Sequence, residues 1–261
     1  MRNICYITGT RADFGLMKNT LHLINIDKNL SLKILVTGMH LLHDYGYTYD
    51  EIVGSGFSVS GKAEVSLSGS SDKDRSIALG EQIIKFTKFL EALRPDLTLL
   101  LGDRGEMLAG AIASIHLNIP IVHIHGGELS GTIDEPIRHA ISKLSHYHFT
   151  STEKSKNRLI KMGENPNNIF VTGAPGLDGI NEYKNYLFDL DLLLKKYNLI
   201  PSNPFILFLY HPVVQDYQDI DRDMEIIVES LLEYGEQVLA LMPNSDYGSK
   251  KISDILQKYG D

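Results

Sequence analysis

Two short apolar runs in the middle of the chain, each ending abruptly in glycine and polar residues, constrain the fold more than any other feature. The first is Leu97–Leu101, which is followed by Gly102 and Asp103. The second is Ile121–Ile124, which is followed by His125 and two glycines. Continuous apolar runs of this length are typical of parallel strands that helices cover on both faces. The pattern therefore predicts an α/β fold with a parallel sheet.

Strand and helix signals alternate along the first two thirds of the chain. Further strands are predicted at the short apolar runs over residues 4–7, 32–36, 57–59, 147–150 and 169–171. Helices are predicted between most of them, the clearest over residues 13–27 and 75–93. This alternation predicts a doubly wound parallel-sheet domain over residues 1–180.

A second α/β domain is predicted to begin after a boundary rich in proline and asparagine. Residues 181–203 are interpreted as a connecting helix and linker, and residues 204–261 as the start of the second domain. Only roughly 60 residues follow this boundary, fewer than a domain of typical size contains. We therefore expect the second domain to be incomplete and the chain to be a fragment.

The segments before the central strands are less regular. Residues 41–54 are predicted as a helix, although aromatic and β-branched residues interrupt it. Residues 61–74 are rich in serine, glycine and charge, which predicts a loop that is either a lid or a surface excursion. The helix over residues 75–93 is expected to bury one apolar face that contains Ile77, Ile84, Phe89 and Leu93.

Composition excludes several classes of protein. The 261 residues carry a formal net charge of −8, which argues against nucleic-acid binding because that function needs a basic surface. The single cysteine, Cys5, cannot form an intrachain disulfide, which suits a reducing cytosol. The N-terminus does not resemble a signal peptide, and no apolar run approaches the ~20 residues of a spanning helix. We therefore expect a cytoplasmic protein without nucleic-acid or membrane partners.

Ionisable residues follow the two central strands and begin the helix after them. Asp103, His125, Glu128, Asp134 and Arg138 are all expected near the carboxyl ends of neighbouring strands. Open α/β sheets bind ligands in that crevice. Each residue also has a structural interpretation: Asp103 as a helix N-cap, and Asp134 with Arg138 as a surface pair one turn apart.

Histidines raise the question of a metal site. His123 and His125 alternate along the predicted strand, so their side chains are expected on one face. Together with Asp103 they are a possible metal site; the alternative is one core histidine and one that lines the cleft. Because no further cysteine or histidine follows at ligand spacing, we expect no metal. His211, between an apolar strand and a proline, either faces an inter-domain crevice or is structural.

The turn after the first strand, Gly9-Thr10-Arg11-Ala12-Asp13-Phe14-Gly15, has two interpretations. It is either a glycine corner capped by Asp13, or a helix N-terminus directed at an anion with Arg11 as a clamp. The residues by themselves leave both open.

As a set, these motifs resemble the hydrolysing UDP-N-acetylglucosamine 2-epimerases of sialic-acid biosynthesis. The motifs lie at residues 9–15, 102–104, 123–128, 133–139 with 143–146, 172–175, 210–212 and 244–246. The resemblance covers nearly the whole chain. It implies a two-domain fold like that of GT-B glycosyltransferases, a UDP-sugar bound between the domains, and a homodimer or homotetramer. A Gly/Ser-rich loop and a glutamate that grip UDP in the second half of such enzymes have no counterpart here.

The resemblance also implies a reaction. UDP leaves C1 and a proton leaves C2 to form a glycal, and water then adds to release N-acetylmannosamine; no nicotinamide, metal or other cofactor takes part. Asp103 and Asp134 correspond to the acid–base residues, and His125 and His211 complete the catalytic set, His211 by assisting the diphosphate. The substrate-binding residues implied are Arg11, Asp13, Glu128, Glu135, Arg138 and Ser245.

One position departs from the family pattern. Residue 125 is glutamate in several members but histidine here. A histidine is able to act as a base near neutral pH. Alternatively, the histidine indicates membership of the related branch that acts on UDP-2,4-diacetamido-2,4,6-trideoxyglucose. Outside this chemistry, a GT-B glycosyltransferase and a non-catalytic nucleotide-sugar-binding module are the alternatives.

Overall fold

A parallel sheet of seven strands organises Met1–Asn181, the first of two units into which the computed structural model divides. The structure describes residues 1–65, 72–131, 134–183, 189–211, 219–243 and 248–260. Ser245, the rest of the motif at 244–246 and part of the loop predicted at 61–74 lie outside these ranges. The elements of this unit are β1 (Arg2–Thr8), α1 (Arg11–Ile26), β2 (Leu30–Thr37), α2 (Tyr49–Gly54), β3 (Val59–Ala63), α3 (Asp72–Leu93), β4 (Leu97–Leu101), α4 (Gly105–His116), β5 (Ile121–Ile124), α5 (Asp134–Leu144), β6 (Tyr147–Thr150), α6 (Glu153–Lys161), β7 (Ile169–Val171) and α7 (Ile180–Tyr183).

The order of these strands confirms the predicted doubly wound parallel sheet. It is β3-β2-β1-β4-β5-β6-β7, and every neighbouring pair is parallel. Strand β1 therefore has β2 on one side and β4 on the other. The chain changes winding direction between β1 and β4, which is where open α/β sheets form their ligand crevice.

The core consists of two apolar layers, one on each face of the sheet, because successive side chains of a strand point to opposite faces. Cys5 and Ile7 of β1 belong to the layer that α3, α4 and α5 cover. Ile4 and Tyr6 belong to the other layer, together with buried residues of α1 and α2. Both faces of the central strands are therefore apolar, which explains their continuous hydrophobic sequence.

The helix predicted at residues 41–54 is wrong in its first half. Two 3₁₀ turns, at Gly38–Leu41 and His43–Tyr45, precede the short helix α2. Gly46 and Tyr47 adopt left-handed backbone conformations, with φ of +84° and +44°. A right-handed helix cannot continue through two such residues, so it begins again only at Tyr49.

The third strand begins and ends later than predicted. Strand β3 includes Gly61, which the sequence placed at the start of a loop. A Cβ atom on Gly61 would lie 2.6 Å from the ring of Phe89 on α3. Glycine is therefore required by close packing of the strand against a helix, a role that is not visible in the local sequence.

Helix α3 buries a face that overlaps the predicted one only in part: Phe89 and Leu93 pack against the core as predicted, but Ile77 and Ile84 do not. Ala78, Phe86 and Leu90 are buried, whereas the side chains of Ile77 and Ile84 are 49% and 59% exposed. The buried positions recur at multiples of four and contact α4 and the sheet. Two β-branched residues outside this stripe misled the helical-face assignment.

The second unit, Glu182–Asp261, contains a parallel strand pair and three helices in its described part. Its elements are α8 (Leu190–Lys196), β8 (Phe205–Leu209), α9 (Ile220–Tyr234), β9 (Gln237–Leu241) and α10 (Ser249–Tyr259). Helices α9 and α10 pack through a small core that includes Met224 and Ile252. None of the helices in the described ranges combines the length and apolar character needed to cross a lipid bilayer.

Candidate functional site

Two clusters of buried polar side chains lie at the carboxyl edge of the sheet. The Asp103 cluster consists of Asp103, His123, Arg138 and Ser142, from the ends of β4 and β5 and from α5. The Asp13 cluster consists of Thr8, Asp13, His40 and Glu106, with Tyr6 and Thr10 beside it, from β1, α1, the turn after β2 and α4.

An ion pair is the centre of the Asp103 cluster. The guanidinium of Arg138 donates through Nη2 to Oδ2 of Asp103, and the two side chains are only 11% and 20% exposed. The N-cap interpretation of Asp103 is wrong, because α4 begins at Gly105 and its N-cap is Arg104. The carboxylate instead reaches a cation 35 residues further along the chain. Burial lowers the pKa of Arg138.

His123 lies beneath this pair and is fully buried. Its Nε2 lies 2.7 Å from the carbonyl oxygen of Gly102, and its Nδ1 lies 3.0 Å from Oγ of Ser142. Burial is the main cause that lowers the pKa of His123 to about 3, and nearby histidines contribute. His123 is therefore neutral throughout the physiological range.

His125 lies beyond the strand, so the prediction that it shares a face with His123 is wrong. Strand β5 ends at Ile124, and His125 has a φ of +64°, a left-handed conformation that is uncommon for residues other than glycine. Its Nε2 is buried and has no hydrogen-bond partner among the described residues. Burial lowers the pKa of His125, and the charge of Glu128 partly opposes that effect. A neutral imidazole with an unused nitrogen is suited to proton transfer.

The two glutamates that follow β5, Glu128 and Glu135, both accept hydrogen bonds from other residues of this chain. Ser155 donates through Oγ to Oε1 of Glu128 at 2.7 Å. Glu135 accepts the backbone N–H groups of Ser130 and Gly131, each at 2.9 Å, and these bonds lower its pKa. Both carboxylates therefore shape the loop between β5 and α5, and their predicted contacts with substrate stay predictions.

The Asp13 cluster is organised by one buried carboxylate. Oδ2 of Asp13 accepts the backbone N–H groups of Gly9 and Thr10 at 3.1 and 2.9 Å and the Thr10 hydroxyl at 3.0 Å. Oδ1 accepts the Thr8 hydroxyl and, at 3.4 Å, that of Tyr6. Thr10 is the N-cap of α1 and forms a capping box with Asp13. The capping interpretation of this turn is confirmed, and a contact of Asp13 with substrate stays a prediction.

His40 and Glu106 belong to the same cluster and were missed at the level of sequence. His40 joins Oγ1 of Thr8 at 2.9 Å to Oγ1 of Thr48 at 2.7 Å, and burial lowers its pKa to about 4. Glu106 packs against Gly9 and Gly38, where any added Cβ would meet it within 3.0 Å. Burial, and to a smaller extent the charge of Glu106, raises the pKa of Asp13 to about 6. The sequence signal for these residues was their position directly after strands or within the first turn of a helix.

The remaining predicted residues are not members of either cluster. Arg11 is 74% exposed and forms an ion pair with Glu51, its Nε 3.2 Å from Oε2. Asp134 is the exposed first residue of α5, one turn before Arg138. His211 is an exposed residue of the second unit, and the prediction for Ser245 concerns a residue outside the described ranges. No group of three or more metal-ligating side chains occurs in the part of the chain that the structure describes.

Comparisons with known proteins agree with this architecture. The family model described as UDP-N-acetylglucosamine 2-epimerase matches residues 22–261. A UDP-N,N′-diacetylbacillosamine 2-epimerase (hydrolyzing) from Legionella pneumophila is 48% identical over 261 residues, which are 100% of this chain and 69% of that protein. A UDP-N-acetylglucosamine 2-epimerase from Neisseria meningitidis is 34% identical over 99% of this chain and 67% of its own length.

A solved structure shows the same fold. It is the crystal structure of a Neisseria meningitidis UDP-GlcNAc 2-epimerase bound to UDP-GlcNAc, with a TM-score of 0.82. The likeness covers 98% of this chain and 70% of that one, at 20% sequence identity. The predicted GT-B-like α/β fold is confirmed.

Proposed function

Because the chain belongs to the UDP-N-acetylglucosamine 2-epimerase family, we propose that the protein is a hydrolysing 2-epimerase of a UDP-linked 2-acetamido sugar. The observation that carries this proposal is the ion pair of Asp103 and Arg138 at the carboxyl edge of the sheet. It places a carboxylate beside a fixed cation in the crevice where α/β folds of this kind bind their ligands.

The preferred substrate in this proposal is UDP-N,N′-diacetylbacillosamine. That sugar is a 2,4-diacetamido-2,4,6-trideoxyglucose, so it differs from N-acetylglucosamine at C4 and C6. The support is the 48% identity to a relative named for that substrate, against 34% to a relative named for UDP-N-acetylglucosamine. UDP-N-acetylglucosamine is the second candidate and rests on the second of these relatives.

The proposed mechanism is an elimination followed by hydration. A base removes the proton from C2 while the bond from C1 to the diphosphate oxygen breaks, which gives a glycal and UDP. Water then adds its oxygen to C1, and C2 regains a proton on the opposite face. The free 2-epimer and UDP are the products.

The residues of the site match these demands. Asp103 and Asp134 form the acid–base pair; Asp103 contacts Arg138, and Asp134 precedes Arg138 by one helical turn. Arg138 positions the substrate and balances charge. His125, neutral and with an unused Nε2, lies at the end of the adjacent strand and either shares the proton transfer or contacts the sugar at C4. Arg11 and His211 contact the diphosphate.

Product analysis by NMR tests this proposal. The protein is incubated with each UDP-sugar in D₂O and in H₂¹⁸O, without any acceptor. We expect free 2-epimeric diacetamido sugar with deuterium at C2 and ¹⁸O at C1, and a kcat/KM at least about tenfold above that for UDP-N-acetylglucosamine. Transfer that requires an acceptor would establish a glycosyltransferase. Binding without turnover would establish a nucleotide-sugar-binding module.

A further inference from the structure

We propose that His123 and Ser142 are positioning residues that hold Asp103 and Arg138 in their reactive arrangement. The inference rests on the proposed function, because it takes the Asp103–Arg138 pair as the reacting centre. In the part of the chain that the structure describes, no hydrogen bond joins His123 or Ser142 to the carboxylate or the guanidinium. They bind the backbone on both sides of the pair.

The directions of the hydrogen bonds follow from the chemistry of the groups. The carbonyl oxygen of Gly102 only accepts, so Nε2 of His123 carries the proton and donates to it at 2.7 Å. Nδ1 of the neutral ring then accepts from the Ser142 hydroxyl at 3.0 Å. The hydroxyl has a single hydrogen, which Nδ1 shares with the carbonyl oxygen of Arg138, also 3.0 Å from Oγ and one turn earlier in α5. One imidazole thus joins the residue before Asp103 to the turn of helix that carries Arg138.

The surroundings keep this imidazole in place. His123 is fully buried at the centre of β5, with β4 and β6 on either side. A Cβ atom on Gly126 would lie 3.0 Å from both His123 Nδ1 and Ser142 Oγ. The chain therefore turns away from β5 through a glycine that leaves room for the contact between strand and helix.

The same burial keeps the ring neutral. Desolvation lowers the pKa of His123 to about 3, so the ring does not take up a proton near neutral pH. Its useful property is the fixed separation of a donor and an acceptor on a rigid ring. Misplacement of a reacting group by about 1 Å is able to reduce turnover about 10²-fold.

Two amide substitutions separate the functions of the two ring nitrogens. His123→Gln places an amide N–H near the position of Nε2 and so retains a donor to Gly102. His123→Asn is shorter and reaches only the Nδ1 side. We expect His123→Asn to lower kcat by about 10² with KM within about threefold, and His123→Gln to recover most of that loss. The pH profile of kcat should keep its shape in His123→Gln.

His148→Gln is the matched control. His148 is also fully buried, pairs in register with His123 on the neighbouring strand, and lies 3.3 Å from Glu164 instead of the ion pair. This variant should lose stability with kcat unchanged. If His148→Gln lowers kcat as much as His123→Asn does, the role of His123 is merely structural and the proposal fails. If His123→Gln is folded and as inactive as His123→Asn, the imidazole itself takes part in the chemistry, and the proposal also fails.

A measurement without substrate separates this proposal from the proposed function. Absence of turnover in the unaltered protein would refute the proposed function alone. Urea midpoints are then compared for His123→Asn, Arg138→Lys and the double variant. Shifts that are smaller in combination than their sum support the coupling of His123 to the ion pair, and additive shifts overturn it.

Discussion

The two carboxylates at the edge of the sheet, Asp13 and Asp103, have opposite environments. Asp13 accepts five hydrogen bonds from residues within seven positions of it, three of them from the turn that it caps. Among the described residues, Asp103 is held by one long-range partner, Arg138. Asp13 is 5% exposed, whereas the Asp103 side chain retains 20% of its accessible surface.

This difference supports the proposal that Asp103 is the reactive carboxylate and that Asp13 is structural. The lone pairs of Asp13 that accept hydrogen bonds from neighbouring residues are unavailable to a ligand. Breaking those bonds in favour of a ligand would disrupt the start of α1. The bond to Arg138 uses only part of the Asp103 carboxylate, so its other lone pairs are able to accept hydrogen bonds from a ligand. A ligand that replaces Arg138 as the partner of Asp103 breaks only that one interaction. We therefore expect substitutions at the two sites to affect different properties.

The largest expected effect is on turnover at Asp103. Asp103→Asn should lower kcat by about 10² or more, because the amide cannot exchange a proton with the substrate. Steady-state kinetics with the preferred UDP-sugar measure this effect, and the exposed Asp50→Asn is the control. Near-normal turnover in a folded Asp103→Asn variant would remove Asp103 from the acid–base pair.

The corresponding substitution at the other carboxylate is Asp13→Asn. Its amide group would face the N–H donors of Gly9 and Thr10, so we expect a loss of about 2 kcal/mol in the free energy of unfolding. Turnover per folded molecule should change less than tenfold. Asp27→Asn, where an exposed carboxylate accepts one backbone N–H, is the matched control. A larger effect on kcat than on stability would show that Asp13 contacts the substrate.

Stability should also depend on pH through the buried histidines of both clusters. Burial lowers the pKa of His40 to about 4 and that of His123 to about 3, so the folded state keeps both rings neutral. The stability that the two neutral rings contribute is complete above the ordinary histidine pKa of about 6.5. It is lost as pH falls toward their pKa values in the folded state. Each costs about 1.4 kcal/mol per pH unit in that interval.

Asp13 acts in the opposite direction. Because its pKa is raised to about 6, Asp13 stabilises the folded state increasingly as pH falls from 6 to 4. The proton that Asp13 binds in the folded state offsets about one of the two protons that the histidines bind in the unfolded state. Urea unfolding at several pH values should therefore show a net loss of stability below pH 6.5, with a smaller slope in His40→Gln. An unchanged slope in His40→Gln, as in the exposed control His116→Gln, would contradict the assignment for the Asp13 cluster.

Substitution of His125 tests the proposed substrate preference. His125→Glu should reduce the preference for the diacetamido substrate over UDP-N-acetylglucosamine by about tenfold, because the neutral ring with its free Nε2 becomes a charged carboxylate. The ratio of kcat/KM values for the two substrates measures the change. An unchanged ratio at reduced kcat would assign His125 to proton transfer instead.

The smallest expected effect concerns the exposed pair of Arg11 and Glu51. Glu51→Gln should change the free energy of unfolding by less than about 0.5 kcal/mol, as is usual for surface ion pairs. Arg11→Gln should raise KM while leaving kcat nearly unchanged, because the proposed contact with the diphosphate serves binding. Equal kinetic effects of the two substitutions would show that the ion pair, and not a free guanidinium, matters.

Much of the architecture followed from the local sequence. Apolar runs such as Leu97–Leu101 define buried parallel strands, because helices cover both faces of the sheet. Gly102 and Asp103 after one strand, and His125 after the next, indicated the edge at which ionisable groups gather. The capping box of Thr10 and Asp13 is likewise a local pattern, since its hydrogen bonds join residues three apart.

Tertiary structure decided which of these groups contact one another. The pairing of Asp103 with Arg138, the burial of His40 and Glu106, and the need for glycine at positions 61 and 126 all depend on segments that are distant in the chain. Periodicity records which face of an element is apolar, but not which neighbour approaches it or how closely. The different environments of Asp13 and Asp103 arise from that packing, because desolvation and hydrogen-bond partners are properties of the folded state.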